Sequence, residues 1–260
     1  MKTDDIKIKQ NWRKSKDEIW NEVFSNIDDV KSIPKIKHLS FWKYTTAAAI
    51  AMIVTGISFA CIYTSTITAV SGTHQSASLP DGSGVKLNAE SEMKYKPYWW
   101  LVSREVTLKG EGYFEVKQGS RFTVKSGQNQ VSVLGTSFNV FARDEKYSVT
   151  CLTGKVEVAV NRENVVLTPN MQVTLRKGEL QITEKVDAAQ SIGWTQNKFI
   201  FNGVPLTDVV KEIERQYGIR IVTSSGLDYF YSGNFSISND PEEILQIIGN
   251  PFGITFSIKK

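Results

Sequence analysis

Few residues in this chain of 260 could do covalent chemistry, and their spacing argues against it. Beyond residue 43 the one histidine is His74, so no His-based triad and no His-rich zinc site can be built there. The sequence holds no GxSxG elbow, no Walker loop and no HExxH pair. Gly110-Glu-Gly112 is a lone GxG ahead of a strand pattern rather than a helix, which rules out a dinucleotide site. Glu111 and Glu115, four apart on that strand, point to one face and could pair as carboxylates; a solvated face accounts for them better. Cys61 falls in an apolar segment and Cys151 in a strand-like run, so they are not expected to pair, and the core must hold the fold. The expectation is a protein that is not an enzyme and uses no cofactor and no metal.

The residue types that remain are those of binding. Ile19, Trp20, Val23, Phe24 and Ile27 fall at i, i+1, i+4, i+5 and i+8, which is one face of a helix. Trp12 extends the stripe, and Pro34 ends the helical part. Residues 1–43 are too few for a core of their own, so this stripe either lies on a membrane, packs on itself or enters a partner's groove. Binding a partner is the job such a segment suits. Residues 1–43 carry ten Lys/Arg and seven Asp/Glu, whereas residues 64–260 carry twenty-one and twenty. The long C-terminal part is close to neutral, which excludes the basic face that direct nucleic-acid binding requires.

Between these parts lies a stretch without a charge, from Tyr44 to Val70. Its apolar part, residues 44–63, would be about 30 Å long as a helix, the thickness of a bilayer core. Trp42 and Tyr44 mark one end and Tyr63 the other, like an aromatic belt. A cleaved signal peptide would have a far shorter charged region ahead of it, and Phe59 two before Cys61 argues against a lipoprotein site. Lys31, Lys35, Lys37 and Lys43 precede the span and no Lys or Arg occurs in the twenty residues after it. The positive-inside rule then places the N-terminus in the cytoplasm and the C-terminus outside the inner membrane.

Residues 64–78 read as an exposed linker or a first strand. Residues 79–186 read as β throughout: Val85/Leu87, Val106/Leu108, Phe122/Val124, Val131/Val133, Val149/Cys151, Val156/Val158 and Val173/Leu175 alternate with polar neighbours, and glycine-containing turns separate the runs. That pattern predicts a sandwich or a closely wound β domain. Residues 187–260 change character. A strand at Phe199-Ile-Phe201 is followed by a helix with Leu206, Val209, Val210, Ile213 and Tyr217 on one face. A strand at Ile219–Val222 follows, then another over Tyr229–Ser236, a helix capped by Asp240, and a last strand at Ile254–Ile258. The fold class is therefore mainly β, with a small α+β C-terminal domain, one transmembrane helix and a short helical N-terminal segment.

Three stretches are more specific. They are Leu79-Pro-Asp-Gly-Ser83 with Leu87-Asn-Ala-Glu-Ser91, then Arg104-Glu-Val-Thr-Leu-Lys-Gly-Glu-Gly-Tyr-Phe-Glu-Val116, then Val131-Ser-Val-Leu-Gly-Thr-Ser-Phe-Asn-Val140. Together they resemble the FecR family of anti-sigma factors, and Gly154-Lys-Val156 and Leu167-Thr-Pro169 continue the likeness. The C-terminal repeat, with Trp194 ahead of Phe199, resembles the small domain of the Bacteroidetes branch, similar in layout to signalling domains of secretins and TonB-dependent receptors. The 43 residues ahead of the span match the family in placement only.

The resemblance implies a role for each part. The cytoplasmic segment would bind an extracytoplasmic-function sigma factor through Trp12, Ile19, Trp20, Val23, Phe24 and Ile27. The outer part would respond to the signalling domain of a TonB-dependent outer-membrane transporter, and cleavage by an intramembrane protease would release the sigma factor. Thr45, Thr46, Thr55, Gly56 and Ser58 would ease unwinding of the span. Some relatives also cleave themselves at the step matched by Gly135 and Thr136, where the Thr136 hydroxyl would attack the Gly135 carbonyl. A turn glycine followed by a strand threonine is the plainer reading of that pair. The competing reading of the whole chain is an envelope-anchored structural or adhesion protein displaying a β domain.

Overall fold

The computed structural model of the protein describes residues 13–25, 41–160, 163–176, 178–223 and 226–259. The chain separates into two units, Met1–Met52 and Ile53–Lys260, with the division inside a long helix. The predicted stripe residues Trp12 and Ile27, and Pro34, lie outside the described residues. Helix α1 (Lys16–Phe24) begins with a capping box: Ser15 Oγ accepts from the Glu18 amide at 3.1 Å, and the Glu18 carboxylate accepts from the Ser15 amide at 2.9 Å. Helix α2 (Phe41–Ile62) contains Tyr44–Ile62, 19 residues of mean hydropathy 2.0, long and apolar enough to cross a membrane. The Thr45 and Thr46 hydroxyls donate to the Trp42 carbonyl at 2.9 and 3.2 Å, so the helix satisfies its own polar side chains there.

Residues 64–78, one of whose two expected readings was a linker, carry β1 (Ser65–Ala69) and β2 (Gln75–Ser78). They join β3 (Gly84–Leu87), β4 (Ser91–Tyr95), β5 (Arg104–Glu115), β6 (Phe122–Ser126), β7 (Asn129–Val133), β8 (Ser137–Arg143), β9 (Lys146–Thr153), β10 (Val156–Val160), β11 (Glu163–Leu167), β12 (Met171–Arg176) and β13 (Glu179–Glu184). The sheet runs β11-β10-β7-β6-β5-β8-β9-β12-β13, with β1 on β4, β2 on β3, and β3 and β4 both on β5. Every alternating pair read from the sequence lies in a strand, and all but Leu175 are buried.

Strand β5 organises this sheet. Its first half pairs with β4 and β6, placing Val106 opposite Tyr95 and Val124. Its second half pairs with β3 and β8, placing Phe114 opposite Val85 and Phe138. Gly110, at φ +99°, marks the corner between them, and a Cβ there would come within 2.8 Å of Ser91 Cα. The GxG seen in the sequence is thus a bend inside a strand. The sheet curls over one core, in which Val106, Phe122 and Val158 of one half meet Phe114, Phe138 and Val173 of the other. Arg104 ties its base: the guanidinium pairs with Asp81 and donates to the carbonyls of Ser120 (2.6 Å) and Lys117 (3.0 Å). Asp81 in turn accepts from Ser83 in the turn that the sequence marks as Asp-Gly-Ser-Gly.

A 3-10 stretch, Ala188–Gln196, leads into β14 (Lys198–Pro205), α3 (Leu206–Tyr217), β15 (Arg220–Val222), β16 (Phe230–Ser236), α4 (Pro241–Gly249) and β17 (Ser257–Lys259). The predicted repeat is present element by element. Its strands, however, pair across the repeat, β14 with β16 and β15 with β17, both antiparallel. Leu206, Val209, Val210 and Ile213 of α3 and Ile244, Leu245 and Ile248 of α4 fill a second core between them. Asp240 caps α4 by accepting from the Glu242 amide at 2.9 Å. Asp240→Ala is expected to cost about 1 kcal/mol and to lower the thermal midpoint by about 2–4 °C. Circular dichroism melts check this, with Asp240→Asn keeping most of the loss away.

Candidate functional site

Three places bear on function. Four of the six predicted stripe residues lie on α1, and none of them is buried: Trp20 is 61% exposed and Phe24 41%, Val23 is exposed and Ile19 half-buried. No residue of α1 is buried. The Trp20 and Phe24 rings lie 4.4 Å apart, one turn from each other, so they form a single aromatic surface.

The Gly135–Thr136 step lies in the bend between β7 and β8. Gly135 is not left-handed; what requires glycine is the neighbouring chain, because a Cβ would stand 2.7 Å from Gln118 Cα. Thr136 is buried, and its hydroxyl has no hydrogen-bond partner. Its carbonyl accepts from the Val116 amide at 2.9 Å, so the backbone is held while the side-chain oxygen is left over. A buried hydroxyl without a partner costs about 1–3 kcal/mol.

The third place leaves only a single faint signal in the sequence. Glu111, expected on a solvated face, is buried, and Asn88 bridges it to Glu212 of α3, whereas Glu115 stays exposed. Asn88 and Asn139 donate to its two carboxylate oxygens, each at 2.8 Å. Gln216 donates to Asn88 Oδ1 at 2.6 Å and to Glu212 at 2.8 Å, and it contacts His74 Nε2 at 2.8 Å. Arg215 clamps Glu212 with two bonds of 2.7 and 3.1 Å, and its carbonyl accepts from the Gly72 amide at 2.8 Å. The network thus locks the β domain to the small domain through side chains more than 100 positions apart. Asp208 with Lys146, and Lys211 with Asp144 at 3.6 Å, add ion pairs at its rim.

The two carboxyls at this junction are held differently. Burial, and next the Glu212 charge, push the Glu111 carboxyl up to about 7. Burial also works against the Glu212 charge, yet Arg215, Arg143 and Gln216 together outweigh it and keep that carboxyl below the usual range. The pair therefore favours a neutral Glu111 beside an anionic Glu212. Asn139 Oδ1 is buried without a partner, and turning that amide over would let it accept the proton of a neutral Glu111. One signal in the sequence pointed here: Gln216 interrupts the apolar face of α3 that runs through Val209 and Ile213. Among the described residues no three His, Cys, Asp or Glu side chains gather as they would around a metal ion.

A helix long and apolar enough to cross a membrane, followed by a curled β domain locked to a small α/β domain, fits a single-pass membrane protein. Residues 65–157 match the family of the FecR protein and residues 198–260 that of the FecR C-terminal region. Two crystal structures of a candidate anti-sigma factor from Parabacteroides distasonis, at 2.50 and 1.65 Å, are similar to it. Both are 32% identical with a TM-score of 0.71, covering 76% and 75% of this chain and 96% and 95% of theirs. The chain belongs to the FecR family. No curated protein matches it significantly.

Proposed function

We propose that this chain is a transmembrane anti-sigma factor and not an enzyme. Its N-terminal segment, in the cytoplasm, holds an extracytoplasmic-function sigma factor. The β domain and small domain lie in the periplasm and receive a signal from a TonB-dependent outer-membrane transporter. The observation that carries this reading is the uncovered Trp20–Phe24 surface on a capped helix ahead of a membrane-length helix, in a chain of the FecR family. A nine-residue helix is marginal in water alone, so the apolar stripe gains its stability on a partner. The transporter's signalling domain would meet the small domain, whose two-stranded sheets leave strand edges open and where Tyr229 and Phe230 are exposed. An intramembrane protease acting on α2 would complete release.

Affinity purification of the full chain from membranes tests the central claim: a sigma factor of this class should co-purify. If none does, and deleting the chain leaves every such regulon unchanged, the display or adhesion reading replaces it.

The Gly135–Thr136 step belongs to the same reading. The Thr136 oxygen attacks the Gly135 carbonyl carbon. Its proton passes to the departing Thr136 nitrogen, and water then opens the ester to a Gly135 carboxylate and a free N-terminal Thr136. The orphan hydroxyl supports this, since a threonine that only filled space would do better as valine. The expected result is that purified protein splits slowly into fragments ending at Gly135 and beginning at Thr136, seen by intact mass spectrometry, and that Thr136→Val stays whole. A wild-type chain that remains one species through prolonged incubation removes the step.

A further inference from the structure

We propose that the loop of residues 96–103 is a second membrane contact, seated in the interfacial layer of the leaflet from which α2 emerges. The inference rests on α2 crossing the bilayer. Its first support is topological. Only Tyr63 and Thr64 separate α2 from β1, and Ser65, the first residue of β1, is paired with Tyr95, the last residue of β4. At about 3.5 Å per residue the chain cannot carry Ser65 more than about 11 Å from the helix end, and a cross-strand partner stands only about 5 Å further. The loop that starts at Lys96 therefore leaves the sheet at its membrane-proximal end. It returns there too, because Val106 of β5 pairs with the same Tyr95.

The second support is composition and exposure. The loop reads Lys-Pro-Tyr-Trp-Trp-Leu-Val-Ser, and it divides its apolar residues between two directions. Trp100 is buried and packs edge-on against Tyr95 and Phe122, with centroids 5.6 and 5.9 Å away. Leu101 is 102% exposed and Val102 69%, so the anchored loop turns two aliphatic side chains outward, Leu101 completely. Tyr98 joins Phe59 and Tyr63 of the span's outer end in a cluster of rings, its centroid 5.9 and 5.3 Å from theirs. Tyrosine and tryptophan suit the headgroup layer, which adds about 5–7 Å to each face of the hydrocarbon core. Exposed Lys96 beside them suits anionic lipid. Such a contact restrains the tilt of the β domain over the membrane at two points instead of one, so that force reaching the domain arrives at the span rather than being lost in rotation.

The test uses the full chain with Cys61 replaced by alanine, in nanodiscs of phosphatidylethanolamine and phosphatidylglycerol. Cys151 does not compete for label, because it is fully buried and burial pushes its thiol up to about 11. An environment-sensitive fluorophore is placed at L101C, at Q128C on the exposed turn at the far end of β6, and at G56C in the middle of α2. The expected result is blue-shifted emission at position 101, most of it lost when the lipids carry bromine near the carbonyl end of the chains, and neither effect at position 128. Emission at 101 equal to that at 128 overturns the proposal. So does blue-shifted emission that brominated lipid leaves untouched, which would mean that protein covers the loop. Quenching at 56 by deep bromines, with none at 101, sinks the loop contact while the span stands; no quenching at 56 removes the span and the inference with it.

Discussion

Trp20→Ala combined with Phe24→Ala is expected to abolish capture of the sigma factor while leaving the outer domains folded. Buried aromatic anchors are the residues whose truncation costs an interface most, about 2 kcal/mol or more each. Two of them, with ring centroids 4.4 Å apart as one surface, would cost about 4 kcal/mol or more, which is roughly a thousandfold in Kd. Loss of the helix cannot account for that loss, because alanine is the best helix former and both changes raise helix propensity. Asn21→Ala, off the stripe, serves as the control and should bind like the parent chain. Ser15→Ala removes the cap that starts α1 and should weaken binding by a smaller factor, through the roughly 1 kcal/mol lost in ordering the helix. Titration calorimetry with the co-purified sigma factor reads the affinity, and target transcription reads the consequence. Unchanged affinity in the double variant would move the binding surface away from α1.

The second large effect is a pH dependence centred on Glu111. Its carboxyl titrates near 7 in the folded chain and near the ordinary 4.5 in the unfolded one. Below 4.5 both states carry the proton and burial of the group costs nothing in charge. Between 4.5 and 7 the folded state holds a proton that the unfolded state has lost, so stability falls as pH rises. Above 7 the full cost is present, about 3 kcal/mol for a shift of this size. Glu212 and Asp81 are shifted downward, and their windows lie below that of Glu111. The thermal midpoint of the β domain and small domain is therefore expected to drop by about 6–10 °C between about pH 5 and pH 8. Glu111→Gln, which keeps a side chain able to bond Asn88 and Asn139 but cannot ionise, should raise the midpoint at the higher pH and flatten the profile. Equal slopes in the two proteins would show that another group sets the dependence. Because Glu111 and Glu212 sit on opposite sides of the junction, the same titration should loosen the lock, seen as faster amide exchange in α3 above neutral pH.

The parts of this protein that were legible in its sequence are those whose signal is local. The Asp240 cap of α4, the uncharged run from Tyr44 and the alternation through Val131/Val133 or Val156/Val158 depend on neighbours within a few residues. The same holds for the helical face of Leu206, Val209, Val210 and Ile213, because the periods of helix and strand set which side chains share a side. Residues 64–78 were half legible: their polar composition reads as a linker, and pairing of β1 with β4 and of β2 with β3 makes strands of them.

What the tertiary structure alone decided is who faces whom. Glu111 alternates like a surface residue along β5, and it is buried because α3, some 100 positions later, lies over it. Gly110 reads as a turn signal and becomes the corner at which one strand passes between the two halves of a sheet. The repeat in the small domain is plain in the sequence, but not that its strands pair across the repeat. Sequence pattern determined the elements, the membrane-length helix and the apolar stripe of α1, because these follow from backbone periods and the preference of apolar groups to leave water. Pairing partners, the buried Asn88–Glu111–Gln216 lock and the orphan hydroxyl of Thr136 depend on contacts between distant segments, and those exist only once the chain has closed on itself.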